Sequence, residues 1–175
     1  MVADKIKQII RDVPDFPKPG IVFKDITPLL KNPALCNEIV VALAQQLRGL
    51  KIDVVAGIES RGFLFGLALA QKLNVPFVPI RKAGKLPYKT VQQSYNLEYG
   101  SAILEVHEDA FEAGQQVLIH DDLLATGGTV VAASALVQKL GAEIAGYSFL
   151  INLDFLNGKE RLKTYSHQLF SLADY

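Results

Sequence analysis

Short apolar segments of strand length alternate along the chain with longer segments whose apolar residues recur at helical spacing. One unit reads "DVVAGI" (53–58), "GFLFGLALAQKL" (62–73) and "VPFVPI" (75–80). The alternation returns further on as "QQVLIHD" (115–121), "GTVVAASALVQKL" and "EIAGYSFLINL". Strands alternating with helices predict an α/β fold with a central, mostly parallel sheet flanked by helices. In such sheets ligands bind beyond the carboxyl ends of the strands, so the loops after those ends are the functional candidates.

The segment before this pattern combines apolar residues with prolines. "ADKIKQIIRDV" (3–13) has apolar residues near helical spacing and predicts a short amphipathic helix. Residues 14–30, "PDFPKPGIVFKDITPLL", contain four prolines, which exclude a regular helix, yet they are strongly apolar. They predict either a packed cover over the core or a lid over a ligand. Asn32-Pro33 then has the chemistry of a helix start, and Gly49 ends that helix.

Three weaker patterns complete the predicted elements. The segment from Arg81 to Glu98 fits no helix or strand pattern, and its length is typical of a mobile lid. "YGSAILEVH" (99–107) and "HQLFSL" (167–172) predict strands, and "NGKERLKTY" (157–165) predicts a helical turn.

Composition narrows the class of protein. The 175 residues suit one domain spanning 1–175. Lys plus Arg and Asp plus Glu both number 18, so no overall charge would attract nucleic acid or an anionic membrane. No apolar run reaches the ~20 residues that a membrane helix needs. With Cys36 as its one cysteine, the chain is expected to be soluble and cytoplasmic, without disulfides or a cysteine-rich metal site.

The stretch "VLIHDDLLATGGTV" (117–130) carries the most specific chemistry. A predicted strand runs into Asp121 and Asp122, and small residues then lead into a helix. The first turn of a helix offers free N–H groups and partial positive charge, which suit a phosphate. Two carboxylates are acceptors that suit a vicinal diol. A phosphate at one end and a diol at the other describe a ribose 5-phosphate, although acids of this kind also cap turns.

Two other strand ends carry positive charge. Glu59-Ser60-Arg61 follows the first strand, and Arg81, Lys82 and Lys85 follow the second. Each loop alone is compatible with an ordinary solvated surface. Together they supply several cations at neighbouring strand ends, which is what a pyrophosphate requires. Neither a Walker loop nor a dinucleotide-binding glycine motif is present.

These residues resemble the type I phosphoribosyltransferase family, and within it the members that act on adenine. Five segments carry the resemblance in the same order: "FPKPGIVFKDITPLL", "GIESRGFLFG", "RKAGKLPYKT", "SYNLEYG" and "DDLLATGGT". The resemblance implies a single domain with an N-terminal hood (about 14–31) and a flexible catalytic loop (about 82–98). It implies transfer of the phosphoribosyl group from phosphoribosyl pyrophosphate to adenine, giving AMP and pyrophosphate, with Mg²⁺ held mainly by substrate and water rather than by a protein cage.

The resemblance also implies a role for each candidate residue. Asp121 and Asp122 would hold the ribose hydroxyls and act in catalysis together with Glu98, the acid/base at the adenine imidazole nitrogens. The 5′-phosphate would bind at Ala125, Thr126, Gly127, Gly128 and Thr129. Pyrophosphate would meet Glu59, Ser60 and Arg61, whose turn often has a cis peptide in similar enzymes, and the basic residues Arg81, Lys82 and Lys85. Adenine would stack on Phe23 and contact Val22, Lys24 and Tyr99.

Two departures from the family pattern and two alternatives remain. Ala83 stands where similar enzymes carry a larger residue, which predicts one weaker pyrophosphate contact. His120 ends a strand where the family is usually aliphatic, and strand alternation favours a core or interface histidine over a metal ligand. The resemblance implies a homodimer in which Arg81 serves the neighbouring subunit. The alternatives are a phosphoribosyltransferase for another purine such as xanthine, and a non-catalytic regulator that binds phosphoribosyl pyrophosphate.

Overall fold

The strands and helices follow the predicted alternation through most of the chain. The computed structural model describes residues 1–96 and 100–175, so the predicted roles of Glu98 and Tyr99 lie outside the described residues. The helices are α1 (Val2–Ile9), α2 (Pro33–Gln46), α3 (Gly62–Leu73), α4 (Gly128–Lys139) and α5 (Gly158–Leu162). The strands are β1 (Arg11–Pro14), β2 (Val22–Asp25), β3 (Val54–Ile58), β4 (Phe77–Lys82), β5 (Thr90–Asn96), β6 (Ser101–His107), β7 (Gln116–Leu124), β8 (Glu143–Asn152) and β9 (Leu169–Asp174). Short 3₁₀ helices span Thr27–Lys31 and Asp154–Leu156.

Seven of the strands form one sheet in the order β5-β6-β4-β3-β7-β8-β9. The pairs β3–β4, β3–β7, β7–β8 and β8–β9 are parallel, whereas β6 runs antiparallel to β4 and β5. The predicted mostly parallel sheet flanked by helices is therefore confirmed. Because β4, β3 and β7 are neighbours, the three loops that carry the candidate residues lie side by side at one edge.

Alternating side chains divide the core between the two faces of the sheet. In β3, Val54 and Ala56 pack in a cluster with α4, whereas Val55 packs in a second cluster with α2 and α3. Each of these three residues is almost fully buried, as strands covered on both faces require. Asn32 caps α2 as predicted, since its side chain accepts the Leu35 N–H at 3.0 Å.

Three segments differ most from the sequence-based predictions. The first helix ends at Ile9 instead of continuing to Val13, because Arg11–Pro14 pairs antiparallel with Val22–Asp25 and so becomes a strand. The strand predicted over 75–80 instead spans Phe77–Lys82. Residues 81–98 are not one long loop: Thr90–Asn96 forms β5, which pairs along its whole length with Ser101–His107. The sequence pattern did not predict this strand, because its glutamines interrupt the alternation of apolar residues by which strands are usually recognised.

Candidate active site

The two aspartates of the central motif lie within β7 and not beyond it. The strand continues to Leu124 because its pairing with β8 extends as far as Asn152. The Asp122 side chain is buried at 3% exposure and Asp121 is half-buried. Asp121 Oδ1 accepts the Asp122 backbone N–H at 2.8 Å, and Arg61 Nε lies 2.8 Å from Asp122 Oδ2. The carboxylates therefore form a pair, one buried and one half-buried, with one cation beside Asp122.

Burial and electrostatic repulsion shift the pKa values of this pair. Loss of water contact raises the pKa of Asp121, and the neighbouring Asp122 charge raises it further. Burial also raises the pKa of Asp122, although the Arg61 guanidinium opposes that rise. Two carboxylates in this arrangement share their protons as a pair, and a ligand that brings donors or a cation would favour their charged form.

We expect Asp121→Asn to stabilise the protein increasingly as the pH rises. The raised pKa of Asp121 means that the native state keeps a proton that the unfolded chain releases above its ordinary pKa of 3.8. Wild-type stability therefore falls between the unfolded and the native pKa, by on the order of 1.4 kcal/mol for each pH unit, whereas the amide does not titrate. Thermal unfolding between pH 4 and pH 8 measures the effect, with exposed Asp109→Asn as the control. Parallel pH profiles for wild type and Asp121→Asn would contradict it.

The small-residue loop Ala125–Thr129 leads directly into α4, which begins at Gly128. Gly127 precedes the helix with φ +80°, a conformation that glycine adopts without strain. Below the loop lies α5: a Cβ on Gly158 would overlap the Ala125 carbonyl oxygen, and Arg161 Nη1 donates to the Thr126 carbonyl at 3.0 Å. α5 thus supports the loop, and the first N–H groups of α4, like those of any helix, have no partners within the helix.

Glu59 connects the two basic loops. The peptide bond between Glu59 and Ser60 is cis, as the family resemblance implies. The Glu59 carboxylate accepts the Lys82 N–H at 2.7 Å and lies 3.3 Å from both Arg81 Nε and Lys85 Nζ. Burial alone would raise the pKa of Glu59, but this N–H and the two cations outweigh burial and lower it. The carboxylate thus faces the basic residues and holds them beside the turn.

Glu105 is a second organising carboxylate, which the sequence patterns did not lead us to expect. Its side chain is 2% exposed and accepts the backbone N–H groups of Lys85 and Leu86, each at 2.9 Å. Thr90 Oγ1 and Gln92 Nε2 also contact it, at 3.3 and 3.2 Å. The available signal was one acid within the apolar strand "AILEV". Glu105 thereby fixes the segment that follows the basic residues.

The hood (14–31) contains β2, which pairs with β1 immediately before the hood. Phe23 is half-buried, with its ring edge-on to Phe16 at 5.2 Å between centroids. The Arg61 guanidinium lies 4.8 Å from the centre of the Phe23 ring. Arg61 therefore contacts both the buried aspartate and the hood, and Val22 beside Phe23 is half exposed. Through Arg61, the structure brings Phe23 of the hood close to the acidic pair of β7.

His120 lies in the core, as strand alternation predicted. It is fully buried, its Nδ1 is 3.2 Å from Ser148 Oγ, and burial lowers its pKa to about 3. Within residues 1–96 and 100–175, no cluster of three or more His, Cys, Asp or Glu side chains is arranged around a metal site. None of the helices in these same residues is long and apolar enough to cross a membrane.

Comparison with known proteins identifies the family. A model described as phosphoribosyl transferase domain matches residues 25–171, which defines the class as a phosphoribosyltransferase. The adenine phosphoribosyltransferase of Cytophaga hutchinsonii is 56% identical, covering 100% of this chain and 97% of that protein. Our chain belongs to the adenine phosphoribosyltransferase family.

Solved structures agree with this assignment. The crystal structure of adenine phosphoribosyltransferase from Thermoanaerobacter pseudethanolicus has a TM-score of 0.95 at 49% identity, covering 99% of each chain. The Saccharomyces cerevisiae enzyme, crystallised with adenine and an imino-altritol bisphosphate, has a TM-score of 0.90 at 42% identity, covering 98% of each chain.

Proposed function

We propose that the protein transfers the 5-phosphoribosyl group from phosphoribosyl pyrophosphate to adenine, forming AMP and releasing pyrophosphate. The proposal rests mainly on three neighbouring features at one edge of the sheet. These are a helix N-terminus for phosphate, the Asp121–Asp122 pair for the diol, and Arg61 beside them. The names of the relatives support adenine as the acceptor base. Such a reaction serves the salvage of free purines.

The phosphate and ribose of the substrate would be held by β7 and α4. The N–H groups of Ala125–Thr129 and the hydroxyls of Thr126 and Thr129 would donate to the 5′-phosphate. Asp121 and Asp122 would accept from the two ribose hydroxyls. As the bond to pyrophosphate breaks, positive charge develops at the ribosyl carbon, and the same carboxylates stabilise it.

The leaving pyrophosphate would bind at the turn Glu59–Arg61 and the basic residues beside it. The positive charge comes from Arg61, Arg81, Lys82 and Lys85. Glu59 holds Arg81 and Lys85 in position, but as a carboxylate it has no hydrogen-bond donor for an anion. Stabilisation of the negative charge that develops on the departing pyrophosphate is the main requirement of this step.

A magnesium ion fits the chemistry of this site. Asp121 and Asp122 offer only oxygen ligands, and Mg²⁺ usually keeps several waters while binding one or two carboxylates together with phosphates. The ion would be held mainly by substrate oxygens and water, with the two aspartates contacting its water shell. Bound in that way, Mg²⁺ would offset the charge on the pyrophosphate.

The hood would recognise the base. Phe23 would stack on the purine, while the backbone around Val22 and Lys24 offers both donors and acceptors to its edge. Tyr99 would lie beside the base. Closure of the predicted catalytic loop (82–98) over the site would exclude water, and because Thr90–Asn96 is paired with β6, that closure would involve the β5–β6 hairpin rather than a free loop. The homodimer, with Arg81 serving the neighbouring subunit, stays a prediction from the family resemblance.

Pyrophosphate release with Mg²⁺ and one base at a time tests the function. The bases are adenine, hypoxanthine, guanine, xanthine and orotate. We expect turnover with adenine alone. Turnover with another base would leave the ribose-phosphate site intact and overturn the role of the hood. Tight binding of phosphoribosyl pyrophosphate without turnover would indicate a non-catalytic regulator.

We expect Glu98→Gln to lower kcat with adenine about a hundredfold, because proton transfer at the base nitrogens loses its acid/base group. The affinity for ribose 5-phosphate, measured by calorimetry, should not change, since that ligand lacks the base. Glu108→Gln, on the exposed surface after β6, provides a matched control that keeps wild-type kcat. Undiminished turnover in Glu98→Gln would contradict the acid/base role.

A further inference from the structure

The rear face of the hood carries a charged cluster that the proposed chemistry does not use. Asp12 and Lys24 are directly opposite each other in the β1–β2 pairing, one position from Val13 and Phe23. Because side chains alternate along a strand, Lys24 projects away from the face on which Phe23 meets Arg61. Lys24 Nζ lies 2.7 Å from Asp12 Oδ1, and the Lys24 side chain is only 15% exposed.

Tyr175 joins this cluster to the main sheet. Lys24 Nζ lies 4.3 Å from the centre of the Tyr175 ring, and Lys7 Nζ lies 5.0 Å from it. The Tyr175 backbone is fixed at the end of β8, donating its N–H to the Asn152 carbonyl and accepting the Asp154 N–H, both at 2.9 Å. The ring is thus held by the sheet and faces an ammonium from the hood, an arrangement in which an aromatic face attracts a cation.

The Tyr175 ring, and not its hydroxyl, makes this connection. The hydroxyl oxygen is buried and has no hydrogen-bond partner within residues 1–96 and 100–175. Phenylalanine would therefore keep the contact with Lys24 and would remove a buried polar atom. A two-stranded sheet on its own is marginally stable, so the hood needs contacts with the main domain to keep one orientation.

We propose that Tyr175 is a positioning residue for base recognition, which holds Lys24, and through it the base-reading backbone of β2, over the site. The inference rests on the proposed function, because it assigns the base to the hood. The Lys24 side chain is anchored behind the sheet, which leaves the Lys24 backbone and Phe23 to face the base. Tyr175 itself touches no substrate and acts through Lys24.

Product affinities separate this role from a general structural one. AMP engages both the hood and the phosphate loop, whereas ribose 5-phosphate engages only the latter. We expect Tyr175→Ala to weaken AMP binding about tenfold, because the ring that attracts the Lys24 ammonium, and also contacts Lys7, is lost. Ribose 5-phosphate binding should remain unchanged. Tyr175→Phe should restore AMP binding to the wild-type value. Isothermal titration calorimetry with each ligand measures both affinities.

Steady-state kinetics and a double-mutant cycle complete the test. Tyr175→Ala should raise KM for adenine about tenfold, with kcat and KM for phosphoribosyl pyrophosphate within twofold of wild type. Lys24→Met should have a similar effect on KM, and the double variant should lose clearly less than the sum of the two single losses, because both variants remove the contact between Lys24 and Tyr175. Additive effects would overturn the proposal.

The remaining outcomes distinguish failure of the positioning role of Tyr175 from failure of the proposed function. Equal losses of AMP and ribose 5-phosphate binding in Tyr175→Ala would mean a general structural role and overturn the positioning role. Wild-type AMP affinity in Tyr175→Ala would overturn it while leaving the proposed function intact. A wild-type protein that binds ribose 5-phosphate but neither AMP nor adenine would instead refute the proposed function.

Discussion

Arg61→Met should lower kcat for AMP formation by about two to three orders of magnitude, because one side chain makes three separate contributions. It supplies a cation at the turn predicted to meet pyrophosphate. It lies 2.8 Å from the buried carboxylate of Asp122. It also covers the ring of Phe23 at 4.8 Å. Methionine keeps much of the length and apolar contact, so the charge is the main loss. Initial rates at saturating substrates measure the effect.

The pH dependence of Arg61→Met gives a second readout. The Arg61 charge lowers the pKa of Asp122 against the effect of burial, so its removal raises that pKa. The fraction of ionised Asp122 at a given acidic pH then falls, and the acid limb of the pH–rate profile should move to higher pH. Arg48→Met removes an exposed charge after α2 and should change neither property. A kcat within threefold of wild type would contradict the catalytic role of Arg61.

Gly158→Ala should destabilise the protein by about 3 kcal/mol through overpacking. A Cβ at this position would overlap the Ala125 carbonyl oxygen and would lie 3.1 Å from Leu124 Cδ1. The obstructing atom belongs to the backbone and cannot rotate away, so α5 and the phosphate loop must move apart. For a domain of this size the loss corresponds to about 8 °C in Tm, which calorimetry measures.

Enzyme activity and a second glycine variant also test the overpacking explanation. Displacement of Ala125–Thr129 should raise KM for phosphoribosyl pyrophosphate in Gly158→Ala. Gly128 lies in the same region, but the nearest atoms to a Cβ there are at 3.6 Å, an ordinary contact distance. Gly128→Ala should therefore keep the wild-type Tm. An unchanged Tm in Gly158→Ala, or equal losses in both variants, would contradict the overpacking explanation.

Local patterns predicted the elements that depend on local chemistry. The helix over 62–73 has the bounds expected from its periodicity, because a continuous apolar helix between two buried strands allows little choice. The start of α2 follows from the Asn32 cap. The strand over 90–96 could not be predicted in this way, since it is stabilised by pairing with β6 and by the contact of Gln92 with Glu105.

In the candidate site, too, some residues were recognised from local sequence patterns and others were not. The phosphate loop and the acidic pair were recognised because their residues are consecutive and their chemistry is specific. The basic residues near Arg81 were also recognised, but not that the Glu59 carboxylate holds them. Arg161 and Gly158, which support the phosphate loop, carry no local signal of that role.

The fold class, the order of most elements, the resemblance to phosphoribosyltransferases and the chemistry of each loop could be predicted from the sequence, because these depend on residues close together in the chain. The contacts between charges had to be read from the folded protein: Arg61 with Asp122, Glu59 with Lys85, and Lys24 with Asp12 and the ring of Tyr175. Most of these contacts join segments that are distant in the chain, and the contact of Lys24 with Asp12 depends on the pairing of β1 with β2. Their geometry follows from the order of strands in the sheet and the orientation of the hood, which no local pattern specifies.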